Sequence, residues 1–252
     1  MLITLHKPKK RVTAALLHFG ASIGFFSLIM WVLINCWYPG VYFDTEGGLQ
    51  GIKIVAGIDV VLGPLMTLIV FNPQKSTREL TVDIGIIAVV QIMALLWGVY
   101  TLHKQRPVAV VFWGKGFMTV PAQALDDQAY KIDGLRAFSD ASPAIIYAEN
   151  PIILADLKKM MDLILKQRIP PHHQTWLYRP LKDHFADIKP RQLNIDGIIA
   201  KHPDVKNPLL PILQKHKQSI HDVLYFLLQS KYHDGILIFA RNGQYLGAVT
   251  PD

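Results

Sequence analysis

The chain has 252 residues, 51% of them hydrophobic and 18% charged, with a formal net charge of +7. From His103 onward there are 19 Lys and Arg against 14 Asp and Glu, with no basic stripe, which argues against a nucleic-acid partner. Cys36 is the sole cysteine, so an internal disulfide is excluded and any soluble part must rely on its core.

Three apolar runs occupy the first 102 residues, at about 14–37, 51–71 and 82–102. A bilayer core about 30 Å thick needs roughly 20 apolar residues of helix to span it. Lys7, Lys9, Lys10 and Arg11 precede the first run, as in a secretory signal. That run is too long for a signal core, however, and ends in Asn35-Cys36-Trp37-Tyr38-Pro39-Gly40 without a small-residue cleavage pattern. It reads as an uncleaved anchor with Trp37 and Tyr38 as interfacial aromatics. Lys75 and Arg78 lie between the second and third runs, whereas Lys53 is alone near the first loop. The positive-inside rule then puts the N-terminus in the cytoplasm and the C-terminal part outside, which in a Gram-negative bacterium is the periplasm.

The second and third runs form a hairpin across residues 72–81, and Arg106-Pro107 ends the third. Residues 108–113 and 117–120 read as strands around a Gly114-Lys115-Gly116 turn, and residues 144–147 as another short strand. Asn150-Pro151 offers a cap and a first-turn proline for a helix over 151–168. Leu154, Leu157, Met161, Ile164 and Leu165 give that helix an amphipathic spacing. Residues 172–222 carry short helical patches whose order the pattern does not reveal. Residues 223–229, 235–240 and 244–249 read as antiparallel strands, the last two joined by an Asn242-Gly243 hairpin. The expected architecture is a transmembrane domain over 1–105 with three spans, then an α+β periplasmic domain over 106–252 with an antiparallel sheet.

The second run carries Asp59 near its middle and Gly63-Pro64 just below. An ionisable group in a span costs at least ~2.5–3.5 kcal/mol and usually faces protein. At helical spacing Ala56, Asp59, Gly63 and Thr67 form a small and polar stripe that lets helices approach closely, and Pro64 marks a kink. Ala88, Gln91, Ala94 and Gly98 make a matching stripe on the third run. Counting from the outer helix ends puts Asp59 and Gln91 roughly 12 and 16 Å deep, so a Gln91 amide donating to the Asp59 carboxyl is one reading. Reception of a client helix from another protein is the other. His18 faces Ala14 and Ser22 near the cytoplasmic edge and reads as a packing histidine.

Nothing in the sequence points to catalysis. Eight histidines lie from His103 onward, but His172-His173 are adjacent and His216 and His221 fall off a shared helix face. No zinc-ligand spacing, nucleophile elbow, Walker loop or dinucleotide-binding glycine pattern occurs. Neither a cofactor nor a metal is expected, and the chain reads as a non-enzyme.

The succession W-Y-P-G (37–40), F-D-T-E-G-G-L (43–49), G-I-D-V-V-L-G-P-L-M-T-L-I-V-F (57–71) and N-P-Q-K resembles the type IV pilin accessory proteins, the TfpX/TfpZ family. Y-T-L-H-K-Q-R-P-V (100–108) and the terminal D-G-I-L-I-F…G-Q-Y-L-G-A-V-T-P-D look like that family too. The resemblance is strong over 31–112 and weak through 125–222. It implies a non-catalytic, chaperone-like inner-membrane protein promoting assembly or surface display of one type IV major pilin, with other pilus assembly proteins of that membrane as further partners. No catalytic residue carries over. Asp59, Gly63, Pro64 and the W-Y-P-G turn transfer as structural or client-contact elements. The alternative is a membrane-anchored periplasmic sensor or ligand-binding protein. Against it, the cytoplasmic parts leave no room for an output domain.

Overall fold

The structure, a computed structural model, describes residues 7–72 and 74–251. It divides into a helix unit (the chain up to Pro39, with Gly48–His103) and a sheet unit (Gly40–Gly47 with Lys104–Asp252). Residues 40–47, between the first two apolar helices, group with the sheet unit.

In chain order, α1 (Lys7–Val32) runs into a π turn over Leu33–Trp37, and a single turn α2 (Tyr42–Thr45) follows in the sheet unit. Then α3 (Gly48–Val55), a π segment over Ala56–Leu62 and α4 (Gly63–Val70) make one continuous rod, and α5 (Thr77–Gln105) completes the helix unit. Among the described residues, three helices are long and apolar enough to cross a membrane: Arg11–Trp37, Gly48–Val70 and Thr77–Gln105. Ser76 and Glu79 start α5 with a reciprocal capping box, Ser76 N–H donating to Glu79 Oε2 at 2.9 Å and Glu79 N–H to Ser76 Oγ at 3.3 Å.

The aromatic pair Trp37-Tyr38 packs onto the end of α5. Tyr38 is 1% exposed, and its hydroxyl donates to the Leu102 carbonyl at 2.9 Å. That carbonyl belongs to the last turn of α5, where no intrahelical donor is available, so the tyrosine serves as a cap. Trp37 is half-buried, edge-on to the His103 ring at 4.9 Å.

The sheet unit is built from β1 (Pro107–Trp113), β2 (Gly116–Pro121), α6 (Ala122–Asp126), β3 (Ala144–Ala148), α7 (Leu154–Gln167), β4 (Tyr178–Pro180), α8 (Leu181–Ile188), α9 (Ile195–Lys201), α10 (Lys206–Lys215), β5 (Val223–Gln229), β6 (Gly235–Ala240) and β7 (Tyr245–Val249). Its seven strands follow the order β4-β3-β1-β2-β5-β6-β7. The sheet is mixed, correcting the antiparallel expectation: β1–β3 and β2–β5 are parallel, the other four pairs antiparallel. Parallel neighbours need a long return connection, and the segments before β3 and β5 supply it.

Alternation along the strands separates two faces. Val110, Phe112, Phe117, Phe226, Leu237 and Phe239 point to one, where Leu181, Phe185 and Ile188 of α8 cover them together with Tyr42. On the other face, α7 covers the β1–β3 half through Met160 and Ile164, while α9 and α10 cover the β5–β7 half. The Asn-Gly hairpin closes as expected, with Gly243 at φ +92° and Ala240 N–H donating to the Gln244 carbonyl at 2.8 Å. Asn150-Pro151 does not start α7. Glu149 N–H bonds the Leu177 carbonyl at 2.8 Å, and α7 begins only at Leu154, with Ile153 extended as its cap residue.

Candidate functional site

The stripe on the second apolar helix is interrupted by its own geometry. Pro64 lacks an N–H, and its ring crowds the carbonyl one turn earlier. The chain widens into the π segment directly above it, so residues upstream and downstream lose the common α-helical phase. Gly63 and Thr67, one α turn apart in α4, are buried, whereas Ala56, Asp59 and Pro64 are half-buried.

Gly63 is the meeting point. A β-carbon there would lie 1.9 Å from Gln91 Nε2 and 3.1 Å from His18 Nε2, so the bare backbone lets side chains from α1 and α5 converge. Thr67 Oγ1 donates to the Gly63 carbonyl at 3.1 Å and lies 2.7 Å from His18 Nδ1. With its one proton committed to the carbonyl, Thr67 accepts from His18 as an Nδ1–H donor. Ser22 (4% exposed) and His18 are the polar neighbours of the Asp59 carboxyl. Gln91 does not follow the expected bond to Asp59; its amide fills the gap at Gly63, about one turn deeper. Among the described residues Gln91 Nε2 has no hydrogen-bond partner. A β-carbon on Gly98 of α5 would meet Val55 Cγ2 at 3.6 Å. The sequence signal for His18 was its spacing to Ser22, which alone did not reveal that both face Asp59.

In the sheet unit, residues 40–47 contribute polar groups that the sequence did not single out. Glu46, 9% exposed, accepts from Thr119 Oγ1 at 2.7 Å and from Lys231 N–H at 3.3 Å through the same oxygen. Burial raises its carboxyl above the usual range against the opposing pull of these donors. The Thr45 carbonyl accepts from Tyr232 N–H at 3.0 Å.

Helix α7 turns an apolar face to solvent. Leu154 is 77% exposed and Leu165 72%; Leu157 and Met161 lie exposed between them, and Ile152 just before the helix is 95% exposed. Lys158 borders this face, with Lys166 and Arg168 nearer its end. The paired His172 and His173 rings sit 4.3 Å apart; desolvation, then the neighbouring His173, pushes His172 down to about 4. No group of metal-ligating side chains occurs among the described residues.

Three helices of membrane-crossing length with polar inner contacts, joined to a mixed-sheet unit, define the architectural class. The fimbrial assembly protein of serogroups C1 and C2 from Dichelobacter nodosus is 38% identical over 96 residues, covering 38% of this chain and 73% of that protein. Those of serogroups I and E1 from the same organism are 38% and 39% identical over 96 and 97 residues, stretches spanning only 37% and 36% of their lengths. The chain belongs to this family of fimbrial assembly proteins. No protein-family model and no solved structure matches it.

Proposed function

We propose that this protein is a non-catalytic inner-membrane accessory factor, of the TfpX/TfpZ kind, that promotes assembly or surface display of one type IV major pilin. The family membership carries this reading, and two structural features support it. The helix unit has an apolar exterior suited to a bilayer, and the sheet unit bears an exposed apolar face on α7 of the kind that marks interaction sites. In this reading the N-terminus is cytoplasmic and the sheet unit periplasmic. The half-buried stretch Ala56–Asp59 is the part of the stripe still open to a client helix, since Gly63 and Thr67 are occupied by His18 and Gln91. The α7 face, rimmed by Lys158, Lys166 and Arg168, would meet an apolar, acid-bordered surface of the pilin head.

Deletion of the gene is expected to reduce surface pili sharply without lowering pilin synthesis, and the tagged protein is expected to co-purify its pilin. Normal piliation in the deletion strain would overturn the reading.

A further inference from the structure

We propose that the exposed face of α7 pairs with the same face of a second copy of this chain, as two antiparallel helices about a two-fold axis. The face is turned away from the helix's own core contacts, where Met160 is buried against the sheet and Ile164 is half-buried beside it. At about 100° per residue, Leu154, Met161 and Leu165 fall within roughly 40° of one another on the outward side. Leu157 lies on one flank of this stripe and Lys158 on the other, with Asp162 next to Lys158. All of these outward apolar side chains are exposed.

The stripe presents a matching order from either end. With the two-fold axis between Lys159 and Met160, Leu154 lies level with the second copy's Leu165. Leu157 and Lys158 lie level, to within one residue, with the second copy's Met161 and Asp162. Such an axis turns each flank of the helix toward the same flank of its mate. Lys158 therefore faces the second copy's Asp162, and Asp162 faces the second copy's Lys158. The contact is isologous, complementary to itself in both its apolar centre and its charges.

The charges of the helix favour this occupant over a lipid surface. Lys159 lies over the Trp176 ring at 4.2 Å, and Lys166 is paired with Asp162 at 3.2 Å. Lys158 makes no ion pair among the described residues. A helix lying on anionic lipid is served by a cationic border, whereas Asp162 interrupts this one. A second copy uses both signs. The apolar centre supplies the driving force as its side chains leave water, and the crossed Lys158–Asp162 pairs fix the register. The pairing involves the sheet unit alone and does not rest on the pilin reading. A pilin head that takes this face does so in place of the second copy.

The test uses the full chain in membranes of cells lacking the pilin, with Cys36→Ser and single cysteines on α7 in two differently tagged copies. Leu154→Cys in one copy and Leu165→Cys in the other are expected to form a disulfide-linked pair. Two Leu154→Cys copies, their cysteines roughly 16 Å apart along the axis, should not. Lys158→Glu in both copies, or Asp162→Lys in both, should lower the linked fraction several-fold by setting like charges face to face. Lys158→Glu in one copy with Asp162→Lys in the other should restore it, a rescue that damage to α7 itself would not give. Absence of the link between positions 154 and 165, or no rescue on mixing, would overturn the proposal. So would quenching of a probe on Leu165→Cys by brominated lipid, which gives the face to the bilayer. A link that forms only to pilin supplied afterwards would also overturn it and leave the face to the pilin head. Because the pairing is read without pilin, its failure is separate from failure of the pilin reading.

Discussion

In the helix unit the large apolar side chains face outward, with Leu17 and Trp97 each 72% exposed, while Ser22 and Thr67 are buried; in the sheet unit Phe117, Phe226 and Leu237 have no exposure at all. In the proposed reading the two regions answer different solvents. In water, removing apolar area is the main driving force, so the sheet unit concentrates its aromatics between strands and α8. Among lipid tails that force vanishes between helices, and close backbone approach with a few polar contacts specifies the packing. Gly63, where a β-carbon would lie 1.9 Å from Gln91 Nε2, is such a point of close approach.

The largest expected effect tests the apolar side of this contrast. Phe117 stacks on Phe239 at 5.5 Å and meets Phe226 edge-on at 5.9 Å. Phe117→Ala should cost the sheet unit about 3–5 kcal/mol in urea unfolding. Trp97→Ala, on the outward face of α5, should leave the stability of the helix unit in bicelles nearly unchanged. Equal losses at the two sites would break the comparison.

Acid should discriminate within the sheet unit. His172 is neutral in the fold, with its value pushed from 6.5 to about 4, while the unfolded chain titrates normally. Its contribution is complete above pH 6.5 and is lost as the pH falls towards 4, by roughly 3 kcal/mol. His172→Gln should flatten that part of the stability–pH curve. Glu46 slopes the other way. Its raised value means that its contribution is complete below the ordinary glutamate range and is lost as pH rises through the folded value. Glu46→Gln should therefore hold or increase neutral-pH stability, because the amide oxygen can still accept from Thr119 and Lys231. Chemical unfolding midpoints across pH, with both variants, resolve the two slopes.

The smallest effect sharpens the polar side of the contrast. Thr67→Val keeps the shape but removes the hydroxyl between His18 and the Gly63 carbonyl. A loss of about 0.6–1.7 kcal/mol is expected for the helix unit by steric trapping in bicelles. No loss would mean that close packing at Gly63 alone specifies the contact.

Much of the helix unit was legible because long apolar runs have few uses outside a membrane, and the strand cores because alternation and Asn242-Gly243 are local signals. The Gln91–Asp59 pairing failed for a local reason of another kind. Pro64 forces a π segment, and the shift in phase brings Gln91 to Gly63 and leaves Asp59 to Ser22 and His18. The role of Glu46 was hidden because Phe43–Gly47, although part of the motif that carries the family resemblance, reads locally as a short loop. Nothing within eight residues announces that Glu46 will be buried against Thr119, 73 positions later.

By itself the sequence determined three helices of membrane-crossing length, their boundaries to within a few residues, the final hairpin and the likeness to fimbrial assembly proteins. Each follows from composition, from nearest-neighbour backbone preference or from direct similarity. Only the tertiary structure decided the mixed strand order, the outward apolar face of α7, the convergence of His18, Thr67 and Gln91 on Gly63, and the bridging of β2 and β5 by Glu46. These depend on contacts between segments distant in the chain, where packing and hydrogen-bond satisfaction select among arrangements that local patterns leave equal.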